Sequence, residues 1–120
     1  MYGLNRVTLI GHVATDLTFF ELKSGIKLLK FRLVTSERWK DKDGEVNEQL
    51  EWHTIAVFND ALINLANNLL EKGDGVMIEG RLHTRNWKDK EGHKHTTAEI
   101  ILDKYSGRLV LLRKKDIQND

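Results

Sequence analysis

A chain of 120 residues with 31% charged and 40% apolar side chains has the size and make-up of one folded domain, not of a disordered tail or a membrane protein. No apolar run nears the ~18 residues that a membrane span needs, Met1-Tyr2-Gly3-Leu4-Asn5-Arg6 has no signal pattern, and the absence of cysteine excludes disulfides and thiolate metal sites. The net charge of +1 excludes a uniformly basic surface, so any nucleic-acid role requires the 19 Lys and Arg to be segregated onto one side.

Val7, Leu9 and Val13 alternate with Arg6, Thr8 and His12 across residues 5–14, the period of a half-buried strand. Ser24-Gly25 signals a turn, and a second strand is predicted from about Leu28 to Trp39 with Phe31 and Leu33 inward. Asp43-Gly44, within the polar run Lys40 to Glu45, marks a hairpin tip, and a third strand returns over about Val46 to Phe58. One helix follows. Asn59 and Asp60 are N-cap types, Leu62, Leu65, Ala66 and Leu69 keep helical spacing, and Lys72-Gly73 reads as a basic last turn with a glycine stop. A fourth strand, Val76 to about Lys88, meets a second charged tip ending at Gly92, and a fifth spans Thr96 to Leu102. Leu109 to Leu112 can add a short strand, and Arg113 to Asp120 reads as polar and frayed.

Three strands, a helix and two strands is the order of a five-stranded OB barrel with its helix between strands three and four. The expected fold is therefore mainly all-β, with one domain over residues 1–112 and a short polar extension, expected to be disordered, over 113–120. One internal echo stands out: Trp39-Lys40-Asp41-Lys42-Asp43-Gly44 against Trp87-Lys88-Asp89-Lys90-Glu91-Gly92. It is read as two similar hairpins, each with a tryptophan at its base.

Strand parity separates the chemistry. In the third strand Trp52, Thr54, Ala56 and Phe58 share one face, and His53, Ile55 and Val57 the other. In the fourth, Val76, Ile78 and Leu82 face one way, while Arg81, His83, Arg85 and Trp87 face the other. A hydrophobic core does not tolerate two guanidiniums and a histidine in a row, so the second set faces solvent or a ligand. Cations beside flat aromatic rings suit single-stranded nucleic acid: the cations neutralise phosphates, and each base–aromatic stack is worth about 1–3 kcal/mol whatever the base. Trp39 shares parity with core Phe31 and Leu33, so its outward display requires a bulge or strong coiling between Thr35 and Trp39. Phe58, at a strand end beside a helix cap, suits either core or binding face. His93-x-His95 has no evident third ligand, so no metal and no cofactor are expected. No Ser/His/Asp spacing, phosphate-cradling loop or carboxylate pair marks an enzyme. The competing readings are a dimeric OB module of the primosome kind and a barrel that binds only protein.

Residues 4–112 resemble the bacterial-type single-stranded DNA-binding protein family. The resemblance rests on Asn5-Arg6-Val7-Thr8-Leu9-Ile10-Gly11, Thr35-Ser36-Glu37-Arg38-Trp39, Glu48-Gln49-Leu50-Glu51-Trp52-His53 and Val57-Phe58. It continues with Lys72-Gly73, Ile78-Glu79-Gly80-Arg81-Leu82 and Thr84-Arg85-Asn86-Trp87. These stretches are specific in combination.

The resemblance implies an OB-fold, sequence-independent binding and protection of single-stranded DNA in replication, recombination and repair, and a homotetramer as the working unit. It places Trp39, Trp52, Phe58 and Trp87 on base-stacking positions and His53 on a subunit contact. Arg6, Lys40, Lys72, Arg81 and Arg85 fall where the family keeps positive charge, and Arg38 and Lys88 join them as phosphate candidates beside the two hairpin tryptophans. A cytoplasmic, nucleoid-associated location is expected. Thr54, Asp60, Glu71 and His83 stand where relatives often carry a basic residue, and Asp16-Leu17 replaces the family's Asp-Pro. Relatives continue into a flexible linker with an acidic tip that recruits repair and replication enzymes, whereas this sequence stops at Ile117-Gln118-Asn119-Asp120: either the sequence is a cut piece or this member lacks tail-mediated recruitment.

Overall fold

In a computed structural model that describes residues 1–115, the chain forms seven strands and one helix. They are β1 (Val7–Val13), β2 (Thr18–Glu21), β3 (Lys27–Lys40), β4 (Val46–Val57), α1 (Asp60–Leu69), β5 (Gly75–Lys88), β6 (Lys94–Leu102) and β7 (Arg108–Arg113). β1, β3, β4, β6 and β5 pair in that order, and β5 returns to β1, which closes an OB barrel of five strands. The β4–β6 pair is parallel and the other pairs are antiparallel.

β2 pairs with β3 and β7 with β5, both outside the closed ring. β2 is the strand the sequence reading missed. Its four residues, Thr-Phe-Phe-Glu, are all exposed and show no alternation, so only the turn after it was visible. Because of β2, the helix follows the fourth strand of the chain, although it still follows the third strand of the barrel ring.

Alternation drives the packing. Leu29, Phe31 and Leu33 of β3, Ile55 and Val57 of β4, Val76 and Ile78 of β5, and Ile100 and Leu102 of β6 fill the interior. Full burial of each such side chain is worth about 1.5–3 kcal/mol. Ile63 and Ala66 turn one face of α1 onto this core. Asn59 caps the helix, its side-chain oxygen accepting from the N–H groups of Ala61 and Leu62. The other end corrects the expected stop. The helix finishes at Leu69 with no basic residue in its last turn, and Gly73 (φ 97°) lies in the following loop, donating to the Val13 carbonyl. The cation at this end comes from far along the chain: Lys114 Nζ donates to the Leu69 carbonyl at 2.9 Å.

Lys114 also binds Asp74, whose fully buried carboxylate accepts from the N–H groups of Glu71 and Lys115. Burial works to raise the Asp74 pKa, but these donors outweigh it and hold the group below its usual value. Arg113 to Lys115 are thus bonded to the domain, within the stretch expected to be frayed. Residues 116–120, and with them the expectation of disorder, lie outside the described residues.

Closure depends on two glycines. β1 passes from β5 to β3 near Gly11, and β5 passes from β1 to β6 at Gly80. A Cβ on Gly11 would lie 2.2 Å from the Val34 carbonyl oxygen, and one on Gly80 2.4 Å from that of Ile101. Backbone cannot yield there as a flexible side chain can. Gly80→Ala is expected to destabilise the fold by about 3 kcal/mol, whereas Gly3→Ala, with nothing within 4 Å, should be neutral. Urea denaturation followed by tryptophan fluorescence measures both, and equal midpoints for the two variants would refute the close-approach argument.

Candidate nucleic-acid interface

β3, β4, β6 and β5 present one continuous outer face, and their ladders arrange it in rows. Arg32 lies opposite Thr54, Thr54 opposite Glu99, and Glu99 opposite His83. One pleat to one side comes the row Lys30, Ala56, Ile101 and Arg81. Toward the hairpin tips, Trp52 lies opposite Val34, Arg85 opposite Thr97, and Trp87 opposite His95. The predicted outward row of β5 therefore shares its face with Trp52.

The two tryptophans on this face are held differently. Trp52 is 49% exposed, with the Arg32 guanidinium carbon 5.1 Å from its ring centre. Trp87 is 39% exposed and held by two contacts: Nε1 donates to Thr97 Oγ1 at 2.9 Å, and the His95 ring stacks on its face at 4.4 Å and 18°. His95 covers one face of the ring, and the Arg85 guanidinium carbon lies 6.0 Å from its centre. Phe58 follows β4 on the Trp52 parity, half-buried, in a shallow cleft with Asn59, Asp60, Ala61 and Lys104.

Trp39 is 48% exposed, yet its register partner is Asn47, and it lies on the opposite parity to Trp52. The β3–β4 ladder runs unbroken from Leu29↔Val57 to Lys40↔Val46. The possible bulge between Thr35 and Trp39 is therefore excluded, and only coiling of the ribbon remains to turn this ring. Beyond Val34, β3 pairs with β4 alone, so residues 35–40 and 46–51 form a two-stranded arm with no barrel behind either face. Core parity ends where the core ends.

The two arm tips are built alike, which accounts for the sequence echo. Asp41 Oδ1 accepts from the N–H groups of Asp43 and Glu45, and Asp89 Oδ1 from those of Glu91 and His93. Gly44 and Gly92 take φ of 81° and 87°, where a side chain would be strained. The remaining oxygen meets Asn47 at the first tip and His95 Nε2, at 2.8 Å, at the second. That hydrogen bond from His95 is the main cause holding the Asp89 carboxyl below its usual pKa. Asp89, Glu91 and His93 bring three potential metal-ligating atoms together, but Asp89 is already engaged by His95 and two backbone donors.

The predicted cations divide into two sets. Arg6 pairs with Glu79, Arg38 with Glu48, Arg81 with Asp103 and Arg85 with Glu99, at 3.2 to 3.5 Å. Asp103 also accepts from Ser106 Oγ at 2.7 Å, and that bond, ahead of those from Arg81 and two backbone donors and against burial, holds its pKa at about 2. Lys40, Lys72 and Lys88 have no carboxylate in ion-pair range among the described residues. Lys40 and Lys88 stand at the arm tips beside Trp39 and Trp87, whereas Lys72 lies in the α1–β5 loop, at the opposite end of β5 from Trp87. The structure does not bring Lys72 to the tryptophan face.

Sequence reasoning missed Lys30, Arg32, His95, Thr97 and Glu99. Arg32 shares parity with Trp52 through the β3–β4 register and was legible in principle, but His95 and Glu99 acquire their neighbours only through the β5–β6 and β4–β6 pairings. His53 faces the core side, opposite Leu33, half-buried, with Nε2 3.0 Å from Thr35 Oγ1.

Residues 4–107 match the model of the single-strand binding protein family. Over 118 residues the chain is 36% identical to the single-stranded DNA-binding protein of Rickettsia typhi, covering 98% of this chain and 78% of that one. The Rickettsia prowazekii protein is 36% identical over 115 residues, 95% of this chain and 76% of that one. Among solved structures, Plasmodium falciparum SSB in complex with ssDNA superposes with a TM-score of 0.85 at 34% identity, over 93% of this chain and 97% of that one. The small single-stranded DNA-binding protein of Streptomyces coelicolor gives 0.67 at 26% identity, over 89% and 93%. This chain belongs to the single-strand binding protein family.

Proposed function

We propose that the protein binds single-stranded DNA without sequence preference and protects it during replication, recombination and repair, with no catalytic step of its own. The observation that carries this is the shared outer face on which Trp52 and Trp87 stand half-exposed among Arg32, Arg81 and Arg85. Bases lie on the indoles, Phe58 extends the stacking path past the end of β4, and Trp39 adds a ring from its arm. Lys40 and Lys88 meet phosphate directly. Arg6, Arg38 and Arg81 exchange their carboxylates for phosphate, an exchange favoured because partly exposed ion pairs are worth only about 0–1 kcal/mol. Lys72 serves a strand only where it continues around the barrel. The protein works at the nucleoid, in the cytoplasm.

The working unit is a homo-oligomer, a tetramer, with His53 at a subunit contact. His53 is a half-buried imidazole on the side of the β3–β4 ribbon away from Trp52. A contact made there leaves the stacking face open.

Trp52→Ala and Trp87→Ala should each weaken binding to dT oligomers by roughly 1–3 kcal/mol, and by similar amounts on mixed-sequence oligomers. Fluorescence titration measures this; losses confined to one base composition would point to hydrogen-bond readout instead. In wild type, raising salt should weaken binding steeply, with a log–log slope of about −0.7 per phosphate neutralised. A flat titration would sink the phosphate role. His53→Ala should lower the molar mass seen by light scattering at low micromolar concentration while leaving tryptophan quenching by dT intact on the species that remains. An unchanged mass would remove His53 from the interface.

A further inference from the structure

Glu99 is the one acidic side chain in the central rows of the stacking face, and it is nearly sealed. Its side chain is 6% exposed, between Thr54 of β4 and His83 of β5. A carboxylate so placed is costly unless cations come to it. Two do: Lys30 Nζ at 3.3 Å from the row on one side, and Arg85 Nη2 at 3.5 Å from the row on the other, both to Oε2. Lys30 also makes a hydrogen bond to it, while Arg85 is the more exposed cation and reaches to 6.0 Å from the Trp87 ring centre.

We propose that Glu99 is a positioning residue for DNA binding: a built-in anion that holds Lys30 and Arg85 on the sheet and cancels one of their two charges, so that the trio meets one phosphate instead of two. This deepens the single-strand reading and rests on it. Lys30 is the resident partner, which keeps the sealed carboxylate paired, and Arg85 is the exchangeable one, free to turn to a phosphate. Its neighbours in the row are Thr54 on β4 and His83 on β5.

The test is the salt dependence of dT-oligomer binding by the full chain, read by tryptophan quenching between 50 and 200 mM NaCl. For Glu99→Gln the slope should steepen by about 0.7, equivalent to a further ~2.5-fold loss of affinity across that range relative to wild type, with tighter binding at the low-salt end. Arg85→Gln should flatten the slope by about the same amount. Glu99→Gln combined with Arg85→Gln should restore the wild-type slope, and Glu99→Asp, which keeps the charge, should leave it unchanged. A purely structural Glu99 would lower the urea midpoint of Glu99→Gln without moving the slope, and that result overturns the proposal. Should Glu99→Gln fail to fold, Arg85→Gln decides alone: a wild-type slope in that variant overturns it. A wild-type protein that does not bind dT at all would instead refute the single-strand reading itself, so the two failures are told apart.

Discussion

Closure of the barrel between β1 and β5 is the constraint on which the rest of the structure depends. Two strands must change partners within a few residues, and at each change a backbone carbonyl comes closer to a Cα than any side chain permits. Gly11 and Gly80 make that approach possible, and Arg81, the first cation of the binding row, is the next residue after Gly80. Once the ring is shut, one parity of every barrel strand is sealed into a core, and the other parity of β3, β4, β5 and β6 becomes a face. The inward Leu, Ile, Val and Phe side chains do not only stabilise the domain. They settle which way Trp52, Arg81 and His83 point.

Past the ring, β3–β4 and β5–β6 continue as two-stranded arms, and the rule linking parity to burial lapses there. The two tips are closed by the same device, an aspartate taking two backbone N–H groups beside a glycine with positive φ. They differ in what the second carboxylate oxygen meets. With His95 in place of Asn47, the second arm gains an imidazole plate behind Trp87, which fixes the ring and commits one of its faces. The first arm leaves Trp39 without such a plate. Similar sequences at the tips thus give tryptophans held by different contacts.

Electrostatically the face is less basic than its list of cations suggests. Arg6, Arg38, Arg81 and Arg85 all carry carboxylate partners. Three of those carboxylates are partly exposed and can give way to phosphate at small cost, whereas Glu99 cannot be left alone. A near-neutral chain can therefore present a polyanion-binding surface whose strength is set by which pairs open.

The sequence by itself determined the strand alternation, the helix cap at Asn59, the two Gly-tipped hairpins and the outward row from Arg81 to Trp87, because these depend on residue types two to four positions apart. β2 escaped it because a four-residue strand with every side chain exposed has no burial to alternate. The helix stop was misplaced because the cation at that end, Lys114, arrives from 45 residues away. Only the tertiary structure decided that Glu99 lies between Lys30 and Arg85, that His95 backs Trp87 and that no bulge turns Trp39. Those relations are set by register between strands, and register is fixed by how the whole barrel closes, not by any local stretch of chain.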